Sequence, residues 1–220
     1  MRHIKALALA GLAALLAACG TERGEFLPTA TRALSGLIVP AAEAPDVRQL
    51  LTPEVLARIE GSLIIVEVPS APSQAGLSVA GTNGPYVTWA AENSTLVITN
   101  RGIVTGSRGL GFDLMNADVS GTLSAMAQGG GTAVRVHRYL DGVGKVLERR
   151  FECRVSAGGQ EVVRLIFGSV LTEAFTERCE GELGGVFENR YWRAIGTSEM
   201  MKSVQWLSPE VGNLLIERAK

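Results

Sequence analysis

The chain has 220 residues, 46% of them hydrophobic and 20% charged, and its 21 basic residues nearly balance 22 acidic ones for a net charge of −1. With no basic excess and no Lys/Arg cluster, nothing argues for nucleic acid as a partner. The length suits one sizeable domain with its own core.

The N-terminus is built differently from the rest. Arg2 and Lys5 form a positive head, Ala6 to Ala18 form an apolar stretch of 13 residues, and polar sequence begins at Gly20-Thr21-Glu22. A bilayer-spanning helix needs roughly 20 apolar residues, so the stretch has the layout of a secretory signal peptide instead. Leu16-Ala17-Ala18-Cys19 also resembles the lipobox of bacterial lipoproteins, in which the cysteine thiol receives a lipid and the peptide is cut just before it. The alternative is a plain signal peptide with Cys19 incidental. Gly20 at the next position implies sorting to the outer membrane, since Asp there is the usual retention signal. The expected organisation is a signal peptide over 1–18, a lipidated tether over 19–26 and a single β-rich domain over 27–220. Of the three cysteines, Cys153 and Cys179 then remain, an even pair in an oxidising compartment, which predicts a disulfide between them. Two buried thiols are the alternative. Two isolated cysteines and His137 lack the close ligand pairs of a zinc site, so no metal and no cofactor is expected.

Downstream, Leu27 to Val39 predicts a short helix, and Ala41 to Asp46, with Pro40 and Pro45, a linker. Thr52-Pro53-Glu54 is a helix start, with Thr as N-cap, Pro at the first position and an acid in the first turn; Gly61 is its expected end. From Ser62 the pattern changes to short β-branched or aromatic runs: SLIIVEVPS, GLSVAG, PYVTWAAE and TLVITNRGIVTG. Thr82-Asn83-Gly84 signals a hairpin turn. The glycines at 129–131 divide this half from the next, where residues 132–159 predict one long hairpin bent at Asp141-Gly142. On its second arm Phe151, Cys153 and Val155 alternate with Glu152 and Arg154, giving one buried and one solvated face. EVVRLIFGSVLTEAFTERCEG, FENRYWRAIG, SEMMKSVQWLS and GNLLIERAK continue as strands. The fold class expected is mainly β, an antiparallel barrel or sandwich with short N-terminal helices.

Chemistry is harder to locate. The G-x-G of SRGLGFDLM lacks the rest of a dinucleotide or P-loop fingerprint and reads as structural glycines. His137 lies mid-strand with no nucleophile elbow, so a Ser–His–acid triad has no support. Paired carboxylates for glycosidase chemistry would have to flank a cleft; Asp113, Asp118, Glu173 and Glu177 are candidates, and no two are seen to converge. Tyr191, Trp192 and Trp206 lie on neighbouring segments beside Arg, Asn and Gln, a combination suited to the apolar faces and hydroxyl rims of sugars. The bland alternative is that they are core aromatics. With Arg108 and Asp113 they form the candidate binding surface.

Taken together, the lipobox, RGLGFDLMNADV, VRVHRYLDG…RRFECRV, a second cysteine and NRYWRAIGTSEMMKSVQWLSPEVGNLLIE resemble the YjbF/GfcB family of lipoproteins over most of the mature chain. SEMMKSVQW departs from the family's usual basic, serine-rich approach to that tryptophan. The resemblance implies a β-rich barrel-like fold and an outer-membrane lipoprotein with an accessory, non-catalytic role in exopolysaccharide or capsule secretion or assembly. It also implies as partners an outer-membrane β-barrel protein and a periplasmic protein of the same export system, with the polysaccharide a further candidate. The competing reading is a periplasmic glycan-modifying enzyme using paired carboxylates.

Overall fold

The computed structural model describes residues 46–220, apart from 72 and 198. Cys19, the signal segment, the Leu27–Val39 helix and nearly all of the Ala41–Asp46 linker therefore lie outside the described residues. Among the described residues two short helices come first, α1 (Val47–Leu50) and α2 (Pro53–Arg58). Asp46 caps α1 by accepting from the Arg48 N–H at 2.9 Å, and Thr52 caps α2 by accepting from the Val55 N–H at 3.4 Å. Helix α2 ends three residues before Gly61. Ile59 is already extended, because it packs with Leu51 and Leu56 onto Leu63, Ile65 and Ala219; burying that side chain outweighs another half-turn of exposed helix.

Twelve antiparallel strands follow: β1 (Leu63–Val68), β2 (Ser73–Asn83), β3 (Tyr86–Ala90), β4 (Leu96–Asn100), β5 (Ile103–Arg108), β6 (Leu114–Asp118), β7 (Gly130–Leu140), β8 (Val146–Leu165), β9 (Gly168–Gly181), β10 (Val186–Ala194), β11 (Met200–Ser208) and β12 (Gly212–Arg218). They form one sheet in the order β5-β4-β3-β2-β1-β12-β11-β10-β9-β8-β7-β6. Its two ends meet where Arg108 Nη1 donates to the Leu114 carbonyl at 3.2 Å, so the sheet is a nearly closed barrel. Closure hides the unpaired edges that an open sheet would expose. Inward residues of alternate positions fill it, among them Ile64, Val66, Leu77, Val97, Ile103, Leu114, Phe175, Leu214 and Ile216.

Three features differ from the sequence reading. A third helix, α3 (Ser120–Ala127), stands between β6 and β7. Its SGTLSAMA composition carries little helical signal, but Asp118 accepts from the Ser120 N–H and hydroxyl at 3.0 and 2.7 Å, and Gly121 lets it lie against β7. A side chain there would meet the Val134 backbone at 3.1 Å. The 129–131 glycines do not divide the sheet; Gly130 and Gly131 already belong to β7 and pair with Ser156 and Val155. Strand β8, finally, runs past Gly158-Gly159. The register shifts between Ala157 and Gly159, where Gly159 takes φ +90°, as a β-bulge does to bend a strand. Beyond it β8 leaves β7, and the β8–β9 hairpin lies over its neighbours. Val163, Leu165 and Ala174 pack on Trp192 and Val204, and Ile166 reaches the α2 cluster.

Cys153 and Cys179 are joined as a disulfide. They are direct partners in the β8–β9 register.

Candidate functional site

Alternation along three strands carries polar groups into the barrel: Arg135, His137 and Tyr139 from β7, Glu177 from β9, Asn189 and Tyr191 from β10. A charge in such a place must be paired, and Glu177 is. Its Oε2 accepts from Arg135 Nη1 at 2.8 Å, Asn189 Nδ2 at 2.8 Å and the Tyr191 hydroxyl at 2.7 Å. Its Oε1 accepts from the Thr122 hydroxyl of α3 at 2.5 Å. Burial works against the carboxylate, but the Arg135 charge and these hydrogen bonds outweigh it and hold Glu177 below the usual carboxylate range. The Tyr191 hydroxyl is pushed well up by burial and by the Glu177 charge.

The chain of bonds continues toward one end of the barrel. Arg135 Nε donates to His137 Nε2 at 3.3 Å. His137 Nδ1 and the Tyr139 hydroxyl are 3.0 Å apart, and that hydroxyl donates to the Leu207 carbonyl at 2.6 Å. The network therefore assigns the proton to Nδ1 of a neutral imidazole. Burial first, and then the Arg135 charge, drive the His137 pKa well below 6.5. This array is a sealed structural cross-brace, with every hydrogen-bonding atom of Glu177 and His137 committed. The Cys153, Glu177 and Cys179 donor atoms lie within 4.8 Å of one another; with the sulfurs bonded together and the carboxylate engaged, they leave a metal no free ligands.

An accessible site lies beside this brace, at the end of the barrel where the β7–β8, β9–β10 and β11–β12 turns gather. The β10–β11 ladder runs only from Arg193↔Met200 to Arg190↔Val204. Past it the strands part, and the Asn189 side-chain oxygen takes the Trp206 backbone N–H at 2.7 Å. Trp206 stacks on Phe187, with ring centres 4.4 Å apart and planes at 10°. Phe151 meets it edge-on at 5.8 Å, and His137 closes the back of the cluster at 5.8 Å. In front opens a pocket of about 510 Å³ lined by Phe151, Phe187 and Trp206 together with Phe112, Tyr139, Leu147 and Arg149, and edged by Glu148, Arg150, Glu182, Leu183, Val186 and Glu210. That volume is in the range of small-molecule sites, about 300–1,000 Å³.

The five residues expected to form one binding surface are placed apart. Trp206 lines the pocket and is half-buried. Tyr191 is wholly inside the barrel, while Trp192 is buried on the opposite face under the β8–β9 hairpin, because successive residues of a strand point to opposite sides. Asp113 accepts from the Ser107 hydroxyl and the Gly109 and Leu110 N–H groups at 2.8, 2.8 and 3.1 Å; with Arg108 it holds the seam between β5 and β6. The four candidate carboxylates are equally dispersed: Asp113 at the seam, Asp118 at the start of α3, Glu173 paired with Arg193 at 2.8 Å, and Glu177 in the brace. Phe112, Tyr139, Arg149, Phe151 and Phe187 were not foreseen in the pocket. The alternation already visible at Phe151 and Cys153, continued back to Arg149 and Leu147, is the signal that places an arginine on the inward face.

Residues 29–218 match the family model described as "Group 4 capsule polysaccharide lipoprotein gfcB, YjbF". The chain belongs to this family. Among solved structures, this YjbF-family chain is similar to the hypothetical lipoprotein YmcC of Escherichia coli K12, at 13% identity and a TM-score of 0.67, over 91% of this chain and 98% of that one. No curated protein matches the YjbF-family chain in sequence. At 13% identity the structural likeness speaks for the fold. The family description makes this a capsule-polysaccharide-associated lipoprotein.

Proposed function

We propose that the protein is an accessory, non-catalytic component of capsule or exopolysaccharide secretion or assembly, anchored to the periplasmic face of the outer membrane through Cys19. Its working surface is the aromatic pocket at the turn end of the barrel. The observation that carries this reading is the division of labour in the barrel. The residues with catalytic chemistry, His137 and Glu177, are sealed and saturated with hydrogen bonds, whereas the accessible cavity is walled by aromatic rings, with charged side chains along its edge. A site built of Trp and Phe beside an arginine is suited to binding. Its partners in this reading are an outer-membrane β-barrel protein and a periplasmic protein of the same export system, with the polysaccharide passing beside them.

The test is made in the native envelope with the full chain. Trp206→Ala is expected to keep lipidation and accumulation while capsule or exopolysaccharide output falls. Crosslinking is expected to recover the two protein partners from wild type and less of them from the variant. Undiminished output from a strain carrying well-folded Trp206→Ala would overturn the reading.

A further inference from the structure

The pocket's chemistry is one-sided. The Tyr139 hydroxyl is already committed within the protein, so the depth of the cavity presents hydrocarbon and ring faces from Phe112, Tyr139, Phe151, Phe187 and Trp206. The unpartnered side-chain groups among its aromatic walls are donors. Arg149 is paired with His137 in the β7–β8 register and so faces inward between Leu147 and Phe151; neither its guanidinium nor the Trp206 indole N–H has a protein partner among the described residues. The acids nearby are mostly occupied at the rim. Glu148 pairs with Arg138 at 2.8 Å and Glu182 with Arg150 at 3.2 Å. That leaves Glu210 on the exposed β11–β12 turn. A sugar buried here would lose its water and find few acceptors for its hydroxyls, a loss that apolar contact does not repay. A hydrocarbon chain loses nothing polar and gains with each methylene buried. Two apolar side chains stand at the mouth beside these ion pairs, Leu183 and Val186, 80% and 55% exposed.

We infer that the pocket binds a single-chain anionic amphiphile, its acyl chain against Phe151, Phe187 and Trp206 and its carboxylate or phosphate at Arg149. This rests on taking the pocket as the working surface, as above, and names the class of ligand it holds.

The probe is a diazirine-bearing palmitic acid, photolabelling the full chain in phosphatidylcholine vesicles, followed by peptide mapping. Labels are expected on the segments carrying Phe151, Phe187 and Trp206. Excess palmitate or lysophosphatidate is expected to compete, the stronger competitor telling carboxylate from phosphate. Methyl palmitate, which lacks the charge, is expected to compete about ten-fold less well, and Arg149→Gln to weaken labelling by about ten-fold, the loss of one charge-assisted contact. Val186→Trp, at an exposed position of the mouth, is expected to block labelling without unfolding the barrel. Labelling confined to other segments would overturn the inference, as would equal competition by methyl palmitate, or displacement of the probe by a malto-oligosaccharide and by neither amphiphile. Absence of labelling would overturn the inference and leave the export result for Trp206→Ala standing; labelling of the wild-type chain together with normal export by Trp206→Ala would remove the export role and keep the ligand.

Discussion

The Trp192 indole N–H donates to the Glu161 carboxylate at 2.8 Å, across 31 positions of sequence. That bond, with Val163 and Leu165 on the ring and Arg190 5.0 Å from its centre, makes Trp192 the anchor of the folded-over β8–β9 hairpin. Trp206 has no such cover. Trp192→Ala is expected to cost about 3–5 kcal/mol of stability, as emptying a buried aromatic site does. Trp206→Ala, half-buried, is expected to cost at most about 3 kcal/mol. Thermal or urea unfolding of the two variants checks the order.

The Arg135–Glu177 pair is almost wholly buried, with side chains 1% and 0% exposed. Removing one partner strands the other charge in the barrel, so Arg135→Met or Glu177→Leu alone is expected to destabilise by about 3–5 kcal/mol. The double variant is expected to recover much of that loss, since no unpaired charge remains. A double-mutant cycle in urea measures the coupling; additive losses would refute it.

Acid stability should carry the signature of His137. Its folded-state pKa lies well below the ordinary 6.5, through burial and then Arg135, so below pH 6.5 the unfolded chain binds a proton that the folded one refuses. Stability from this group is complete above about pH 6.5 and is lost as the pH falls below it, by at most about 1.4 kcal/mol per unit. Glu177, also depressed, adds its loss only below the ordinary carboxylate value of 4.5. Unfolding free energies of wild type and His137→Gln between pH 7 and 5 are expected to show the slope in the first and a flatter line in the second.

Cys153 and Cys179 close a loop between positions 26 apart in sequence. Reduction, or the double alanine variant, is expected to lower stability by about 3–4 kcal/mol in the chain-entropy account. Peptide mapping without reductant followed by denaturant titration checks both the pairing and its worth.

Cys19→Ser is expected to leave an unprocessed, unlipidated precursor. A bacterial lipoprotein's several acyl chains anchor it stably where one would not, and the variant lacks them all. Mass spectrometry of the envelope fraction reads the outcome; normal maturation of the variant would rule out Cys19 as the attachment point.

Local patterns determined a good deal. Alternating β-branched and aromatic runs between turn residues specify strands, and Thr52-Pro53-Glu54 specifies a helix start, because each is a matter of neighbouring side chains and backbone torsions. The lone pair of body cysteines could be matched without knowing the fold, and the quoted motifs were enough to recognise the YjbF/GfcB family. What lay beyond reach depended on which strands meet and where they part. Helix α3 exists because Gly121 fits against β7, a contact that its composition does not announce. Tyr191 and Trp192, adjacent in sequence, go to opposite faces of β10, and Trp192 is covered only because the Gly159 bulge turns the hairpin back over it. The pocket needs β10 and β11 to separate after Arg190↔Val204, which brings Phe112, Arg149, Phe151, Phe187 and Trp206 together from distant segments. Periodicity says which face of a strand is buried; only the closed barrel decides what that face is buried against.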